Sequence, residues 1–297
     1  MNRVLVSGVS GPIGAALLPY LESQGARIVR LVRGQARGVD QVSWDTLQPF
    51  APVAVSGFEA VIHLAGESIA GRWTEAKKNA IRESRVQGTT HLATALAQCE
   101  SRPRVFICAS AIGCYGNRGD EVLTEASAAG QGFLPEVCGE WEAASRIAAD
   151  AGIRTVNLRI GLVLSPKGGA LEKMLTPFKL GVGGRIGSGQ QWWSWVHVDD
   201  IVGALHQALH TGSLSGPVNM VAPNPARNTE FTQVLASVLR RPAFCSVPAF
   251  AARLAFGKMA AEELLLSSAR VTPAKLLDSG YAFRFPELRA TLEELLG

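Results

Sequence analysis

The chain has 297 residues, with 29 lysines and arginines against 25 acids and a formal net charge of +4. A hydrophobic content of 47% with 18% charged residues is that of a folded globular protein and excludes disorder and collagen-like repetition. No long basic run and no uninterrupted membrane-length apolar stretch occurs, so neither a nucleic-acid nor a membrane partner is expected.

The first half alternates short β-branched apolar runs with longer helical patterns, which predicts an α/β fold built as a doubly wound parallel sheet. Predicted strands are Arg3 to Ser7, Arg27 to Arg33, Gln41 to Asp45, Ala60 to Leu64, Arg104 to Ala109 and Thr155 to Ile160. Predicted helices run from Ile13 to Ser23, Glu75 to Gln98 and Pro135 to Ala151; Gly25 and Gly152 stop the first and last. After Leu164, Pro166 and a succession of glycines mark a loop-rich stretch ending in Trp192-Trp193-Ser194-Trp195, read as a substrate-side insertion over about 166–195. A helical pattern returns over 198–210, and Pro217 to Met220 suits one more strand. From Pro248 the pattern predicts a small helical unit: a helix opening at Thr272-Pro273 and closed by Gly280, an aromatic strand Tyr281 to Phe285, and a final helix after Pro286.

The five cysteines, Cys99, Cys108, Cys114, Cys138 and Cys245, are odd in number and lack Cys-x-x-Cys spacing. Reduced thiols are expected, and with the chain opening directly into a strand, so is a cytoplasmic location.

Between the first strand and the first helix stands Gly8-Val9-Ser10-Gly11-Pro12-Ile13-Gly14. Glycines in such a turn allow close backbone approach to a pyrophosphate, and the helix N-terminus adds N–H donors and a positive dipole. Gly8, Ser10, Gly11, Pro12, Ile13 and Gly14 are therefore the expected dinucleotide contacts. A dinucleotide site selects its ribose at the end of the second strand, where an acid takes the 2'-hydroxyl or a cation the 2'-phosphate. That position is Arg33, with Arg30 and Arg37 nearby, so NADP(H) is the expected cofactor; a solvated strand-end arginine is the alternative.

Gly8-x-x-Gly11-x-x-Gly14, His63-Leu64-Ala65-Gly66, Ser110-x-x-x-x-Tyr115-Gly116, Leu158-Arg159-Ile160-Gly161 and Trp195-Val196-His197-Val198-Asp199-Asp200-Ile201 follow in order. With them the chain resembles the extended short-chain dehydrogenase/reductases of the sugar-nucleotide epimerase group, over roughly residues 1–222. It looks most like an atypical epimerase-like branch with a short C-terminal domain of unknown function, through Leu64-Ala-Gly-Glu-Ser-Ile69, Trp141-Glu142-Ala143-Ala144 and Gly280-Tyr-x-Phe283. The resemblance implies a Rossmann-type domain over 1–222 and a C-terminal region, 223–297, packed on the substrate side. It also implies that Leu64, Ala65 and Gly66 pass under the cofactor and that Ile160, Gly161 and Leu162 lie beside the nicotinamide. Arg85 would replace a cofactor-touching asparagine, binding phosphate or ribose oxygens or tying helix to loop.

The family's catalytic serine or threonine falls on Ala111, with Ser110 adjacent and kept among the cofactor contacts. Its Tyr-x-x-x-Lys pair falls on Cys138 and Glu142. A carboxylate beside Cys138 disfavours thiolate, so Cys138 is a poor base. The remaining candidates for proton exchange are Tyr115, Glu142 and Glu67. Each has a structural alternative: a loop-turn tyrosine, a surface helix acid, and a helix cap or partner of Arg72 or Arg85. His197, Asp199 and Asp200 are read as a structural junction, Trp192, Trp193 and Trp195 as cleft wall or core, and no metal is assigned.

These residues point to an NADP(H)-binding oxidoreductase or epimerase-like enzyme acting on a small carbonyl, hydroxyl or sugar-nucleotide-like substrate, with a homodimer as a further expectation. The competing reading is a non-catalytic NADP(H)-binding redox sensor or scaffold.

Overall fold

In the computed structural model, which describes residues 3–297, seven strands form one sheet. They are Arg3–Ser7 (β1), Arg27–Arg33 (β2), Gln41–Trp44 (β3), Ala60–His63 (β4), Val105–Ala111 (β5), Arg154–Ile160 (β6) and Gly216–Met220 (β7). All neighbours pair in parallel, in the order β7-β6-β5-β4-β1-β2-β3. Parallel strands need helical crossovers, which cover both faces, and β1, β4 and β5 are accordingly almost wholly apolar and buried.

The period of two along each strand divides the core. Val4, Val6, Ile62 and Ile107 face Pro12–Ser23 (α1) and Val198–His210, and pack on Leu17, Leu21, Ile201 and Leu205. Leu5, Val61 and Phe106 face Glu75–Gln98 (α2) and Phe133–Asp150 (α3), and pack on Leu92, Leu96 and Trp141. Strand order reverses between β1 and β4, which opens a crevice at the carboxyl ends of the strands.

Beyond β6 the chain departs from the sequence expectation in three places. The stretch read as loop-rich contains a helix, Gly169–Lys179 (α4), buried through Leu171, Leu175 and Phe178. A second unforeseen helix, Asn228–Leu239 (α5), packs on it through Phe231 and Leu235, and Leu288 and Leu292 of the last helix complete that cluster. Glycines beside α4 and prolines beside α5 (Pro223, Pro225 and Pro242) mask these helices in the sequence, whereas the shared apolar cluster stabilises them in the fold. Residues 166–195 and the C-terminal region thus share one core.

The third departure is Tyr281 to Phe285, which forms no strand. It is a loop closed around the buried Asp200: the carboxylate accepts from Arg284 N at 2.8 Å and Phe285 N at 2.9 Å, and Tyr281 OH donates to the Asp200 carbonyl at 2.9 Å. Backbone donors that a sheet ladder would have satisfied are satisfied by one carboxylate. His197, meanwhile, accepts from Asp199 N at the start of Val198–His210 and lies 2.9 Å from Glu294, a capping arrangement.

Candidate functional site

The glycine turn is shaped by backbone proximity. Gly8 has φ +73°, and a Cβ on it would lie 2.5 Å from the Leu64 carbonyl carbon and 2.7 Å from Ala65 N. A Cβ on Gly14 would lie 2.5 Å from Gly8 O, so α1 abuts the turn. Gly11 differs: its Cβ would meet only Gly8 O, at 3.5 Å. It caps α1, with Pro12 in the first turn and no side chain capping the helix donors. Two glycines are required by the protein's own packing; the third leaves space beside a helix N-terminus, the geometry an anionic group occupies.

Next to this turn a buried polar chain joins β1, β4, α2 and α3. Ser7 Oγ and His63 Nδ1 are 2.6 Å apart, His63 Nε2 is 3.1 Å from Thr89 Oγ1, and Trp141 Nε1 donates to Thr89 Oγ1 at 2.8 Å. Complete burial lowers the His63 pKa to about 4, which keeps the ring neutral. Ser7 Oγ also receives Ala65 N at 3.4 Å, linking this chain to the Leu64-Ala65-Gly66 segment.

Arg33 stands exposed at the end of β2. With Gly34, Ser43, Trp44, Asp45 and Thr46 it lines a small cleft of about 240 Å³. Acids stand close to these arginines: Asp45 lines the same cleft, and Arg30 pairs with Asp40. Parallel pairing of β2 with β3 brings these acids alongside the strand-end arginines. Asp45 Oδ1 accepts from Leu47 N at 3.0 Å.

Arg85 lies under Gly66, with its guanidinium carbon 3.2 Å from the position of a Gly66 Cβ. Its Nη1 donates to the carbonyls of Glu67 and Ile81 at 2.9 and 3.1 Å, so it ties α2 to the loop after β4 while facing the main cleft. Glu67 is turned elsewhere. Its carboxylate pairs with Lys77 at 2.5 Å, a hydrogen bond that lowers its pKa. It does not line the main cleft, and an ionised, paired carboxylate is a weak proton acceptor; Glu67 is withdrawn as a catalytic candidate.

Tyr115 is withdrawn too. Its side chain is 0% exposed, and its hydroxyl lies 2.7 Å from Asn219 Oδ1 and 3.0 Å from the Thr124 carbonyl while accepting from Arg159 Nη1 at 3.0 Å. Burial pushes its pKa up to about 12. The hydroxyl is thus committed inside the protein and does not reach the cleft.

Glu142 is gripped by Arg159 of β6, Nε to Oε1 and Nη2 to Oε2, each at 2.9 Å, and accepts from Ser110 Oγ at 2.7 Å. Burial opposes the charge on Arg159, but the Glu142 hydrogen bonds raise its pKa. Glu142 on α3 is therefore paired by a cation from the neighbouring strand. Sequence reasoning assigned Arg159 no role, although a charged side chain on a strand paired on both sides within the sheet demands a partner.

A cleft of about 960 Å³ opens between the sheet and the C-terminal region. Ile160, Gly161 and Leu162 line it together with Ile112, Leu134, Cys138 and Trp141 and, from the later part of the chain, Met174, Phe178, Trp192, Trp193 and Phe256. Trp192 and Trp193 are thus wall, whereas the fully buried Trp195 is core. Cys138 faces the cleft with its thiol pKa pushed to about 12 by burial and by Glu142. Glu263, also lining the cleft, accepts from Phe133 N and Leu134 N at 3.0 and 2.7 Å and so caps α3. Among the described residues, no group of three His, Cys, Asp or Glu is placed to hold a metal ion, and no helix is long and apolar enough to cross a membrane.

Residues 4–221 match the NAD dependent epimerase/dehydratase family, and residues 247–295 match a domain of unknown function, DUF1731. Similar proteins include an epimerase family protein of Mycobacterium bovis, 39% identical over 99% of this chain and 96% of its own. The crystal structure of the human epimerase family protein SDR39U1 with NADPH superposes with a TM-score of 0.91 at 35% identity, covering 99% of this chain and 98% of that one. The nucleoside-diphosphate sugar epimerase of Corynebacterium glutamicum gives 0.82 at 37% identity, over 99% of this chain and 58% of the other.

Proposed function

The chain belongs to the NAD-dependent epimerase/dehydratase family, and from that premise we propose that it is an NADPH-dependent reductase of an apolar carbonyl compound. The observation that carries this reading is the adjacency of two features: open space at Gly11 beside a helix N-terminus, and a large, mainly apolar cleft lined by Ile160. The human relative crystallised with NADPH supports the same cofactor here.

The residues fit that cofactor. The pyrophosphate would lie on the α1 N-terminus, where uncapped N–H groups point outward, and the 2'-phosphate in the small cleft beside Arg33. Leu64, Ala65 and Gly66 would lie beneath, with Arg85 holding that loop, and Ile160, Gly161 and Leu162 would flank the nicotinamide. When bound, NADPH supplies the hydride.

The protein's part is positioning. With Tyr115 buried, Glu142 paired and the Cys138 thiol too weakly acidic to give up its proton readily, none of these three is an effective proton donor to the cleft. Hydride delivered to the β-carbon of an α,β-unsaturated carbonyl compound leaves an enolate, whose charge is spread over oxygen and carbon, and this anion takes its proton from water without such a donor. Of the cleft-lining side chains only Arg85 and Lys173 are cationic, which favours this apolar class over a nucleotide sugar, whose diphosphate calls for several cations.

Cofactor-fluorescence titration with NADPH and NADH, on the wild type and Arg33→Ala, tests the cofactor assignment. Arg33→Ala is expected to weaken NADPH by about tenfold and NADH little; equal effects would remove Arg33 from the site. A screen of apolar conjugated carbonyls for NADPH consumption then tests the reaction. Tight NADPH binding with no turnover across that class would shift the assignment to a non-catalytic redox sensor, a reading that the commitment of Tyr115 and Glu142 to internal bonds also favours.

A further inference from the structure

Two segments joined by a short parallel ribbon carry cations and no acids. From Lys173 to Val198 and from Phe231 to Ala261 there is no aspartate or glutamate. The first holds Lys173, Lys179 and Arg185, the second Arg240, Arg241, Arg253 and Lys258, all exposed. Among the described residues, Arg253 alone of these pairs with a carboxylate, that of Glu262 just past the second segment. Ribbon pairing sets Ser246 beside Arg185 and Val247 beside Ile186, and the position of a Cβ on Gly181 lies 3.5 Å from Pro242. The two segments are therefore one face.

That face also leaves large apolar side chains in water. Phe244 is 93% exposed, Leu254 76%, Leu180 73% and Phe250 70%, with Val182 and Met259 about half exposed. Isolated exposed apolar residues are ordinary, but six within one cationic face mark a surface that is covered in use. Val182, Val247, Ala251 and Ala255 line the main cleft as well, so the face surrounds its mouth.

We propose that this face docks on an anionic lipid surface, with Phe244, Phe250 and Leu254 entering the headgroup layer and the cations meeting lipid phosphates. The absence of a membrane-length apolar segment bears on spanning the bilayer; peripheral docking needs only apolar side chains beside cations. A symmetric dimer through the same face would set seven cations against seven of the same sign, whereas an anionic bilayer complements them. Docking would bring the mouth of the apolar cleft against the bilayer. It stands independently of the cofactor and the reaction.

The test is co-sedimentation of the full chain with vesicles of phosphatidylcholine alone and of equimolar phosphatidylcholine and phosphatidylglycerol. Binding to the anionic vesicles is expected, with little to the neutral ones and a fall of about tenfold or more at high salt. Arg240→Glu with Arg241→Glu is expected to reduce binding by about tenfold or more. Phe244→Ser with Phe250→Ser and Leu254→Ser is expected to abolish it with an unchanged circular dichroism spectrum, since these side chains are already in water. Wild-type protein left in the supernatant, or equal binding to both vesicles, would overturn the proposal, as would variants that bind like the wild type. Lipid-free self-association lost in the serine variant would assign the face to a second copy instead.

Discussion

Arg159 and Glu142 meet through two hydrogen bonds of 2.9 Å each, with side chains only 13% and 16% exposed. The acid stands on α3, and the strand next door, β6, supplies the cation. Such a pair can be nearly neutral for stability when intact and costly when half removed, because the remaining charge keeps its desolvation penalty. Glu142→Ala and Arg159→Ala are each expected to destabilise by about 3–5 kcal/mol, reduced toward the lower end by residual solvent access. Glu142→Ala combined with Arg159→Ala should lose less than the sum of the two single losses. Urea denaturation of the single and double variants measures this, and additive losses would show that the pair is not coupled.

Tyr115→Phe keeps the ring and removes a hydroxyl that lies 2.7 Å from the buried Asn219 side chain. A loss of about 1–3 kcal/mol in stability is expected, because Asn219 Oδ1 and Arg159 Nη1 each lose a partner. NADPH affinity and any turnover should change little at temperatures where the variant is folded. A large fall in turnover with intact stability would return Tyr115 to the catalytic list.

His63 gives the protein a pH dependence with a definite sign. Its pKa falls from 6.5 to about 4 in the folded chain, so between those values the unfolded chain takes up a proton that the folded chain does not. Its contribution is fully present above pH 6.5 and is lost as pH falls toward 4, by about 3 kcal/mol in all. Denaturation midpoints of the wild type and His63→Gln across that window are expected to converge as pH falls. A constant difference between them would mean that His63 does not titrate as its burial requires.

The glycines of the first turn should separate into two kinds. Gly8→Ala forces a side chain onto φ +73° and into the Leu64 carbonyl, and is expected to cost about 1–3 kcal/mol from the backbone alone. Gly11→Val meets no comparable contact and should leave stability within about 0.5 kcal/mol, while weakening NADPH by about tenfold or more through occupation of the space beside the helix N-terminus. Thermal melts beside cofactor titration decide it; unchanged affinity in Gly11→Val would place the pyrophosphate elsewhere.

Asp200 holds the C-terminal loop by accepting from two backbone N–H groups, at Arg284 and Phe285. Asp200→Ala leaves both without that acceptor, and a loss of about 1–3 kcal/mol is expected. Limited proteolysis should then cut near 281–287 faster than in the wild type. Equal cutting rates would show that packing of the last helix, through Leu288 and Leu292, suffices to hold the segment.

Local patterns carried much of this protein. Apolar runs such as Val4-Leu5-Val6 define strands because a parallel sheet buries both faces, and the strand-glycine-helix order places Gly8 to Gly14 at a turn, since only backbone chemistry is needed to read it. Side-chain roles were not local. Tyr115, Glu142 and Glu67 look alike in sequence as proton-exchanging groups, but their partners Asn219, Arg159 and Lys77 lie 104, 17 and 10 positions away. Folding decides which hydroxyl or carboxylate faces a cleft and which is consumed by a neighbour. The same holds for α4 and α5: glycines beside the first and prolines beside the second argue for loop, and each is stabilised by apolar contacts with a segment distant in the chain. The cationic, apolar face likewise exists only because the ribbon sets Arg185 beside Ser246. Spacing along the chain specifies backbone geometry, whereas burial and charge pairing are properties of neighbours that only tertiary packing supplies.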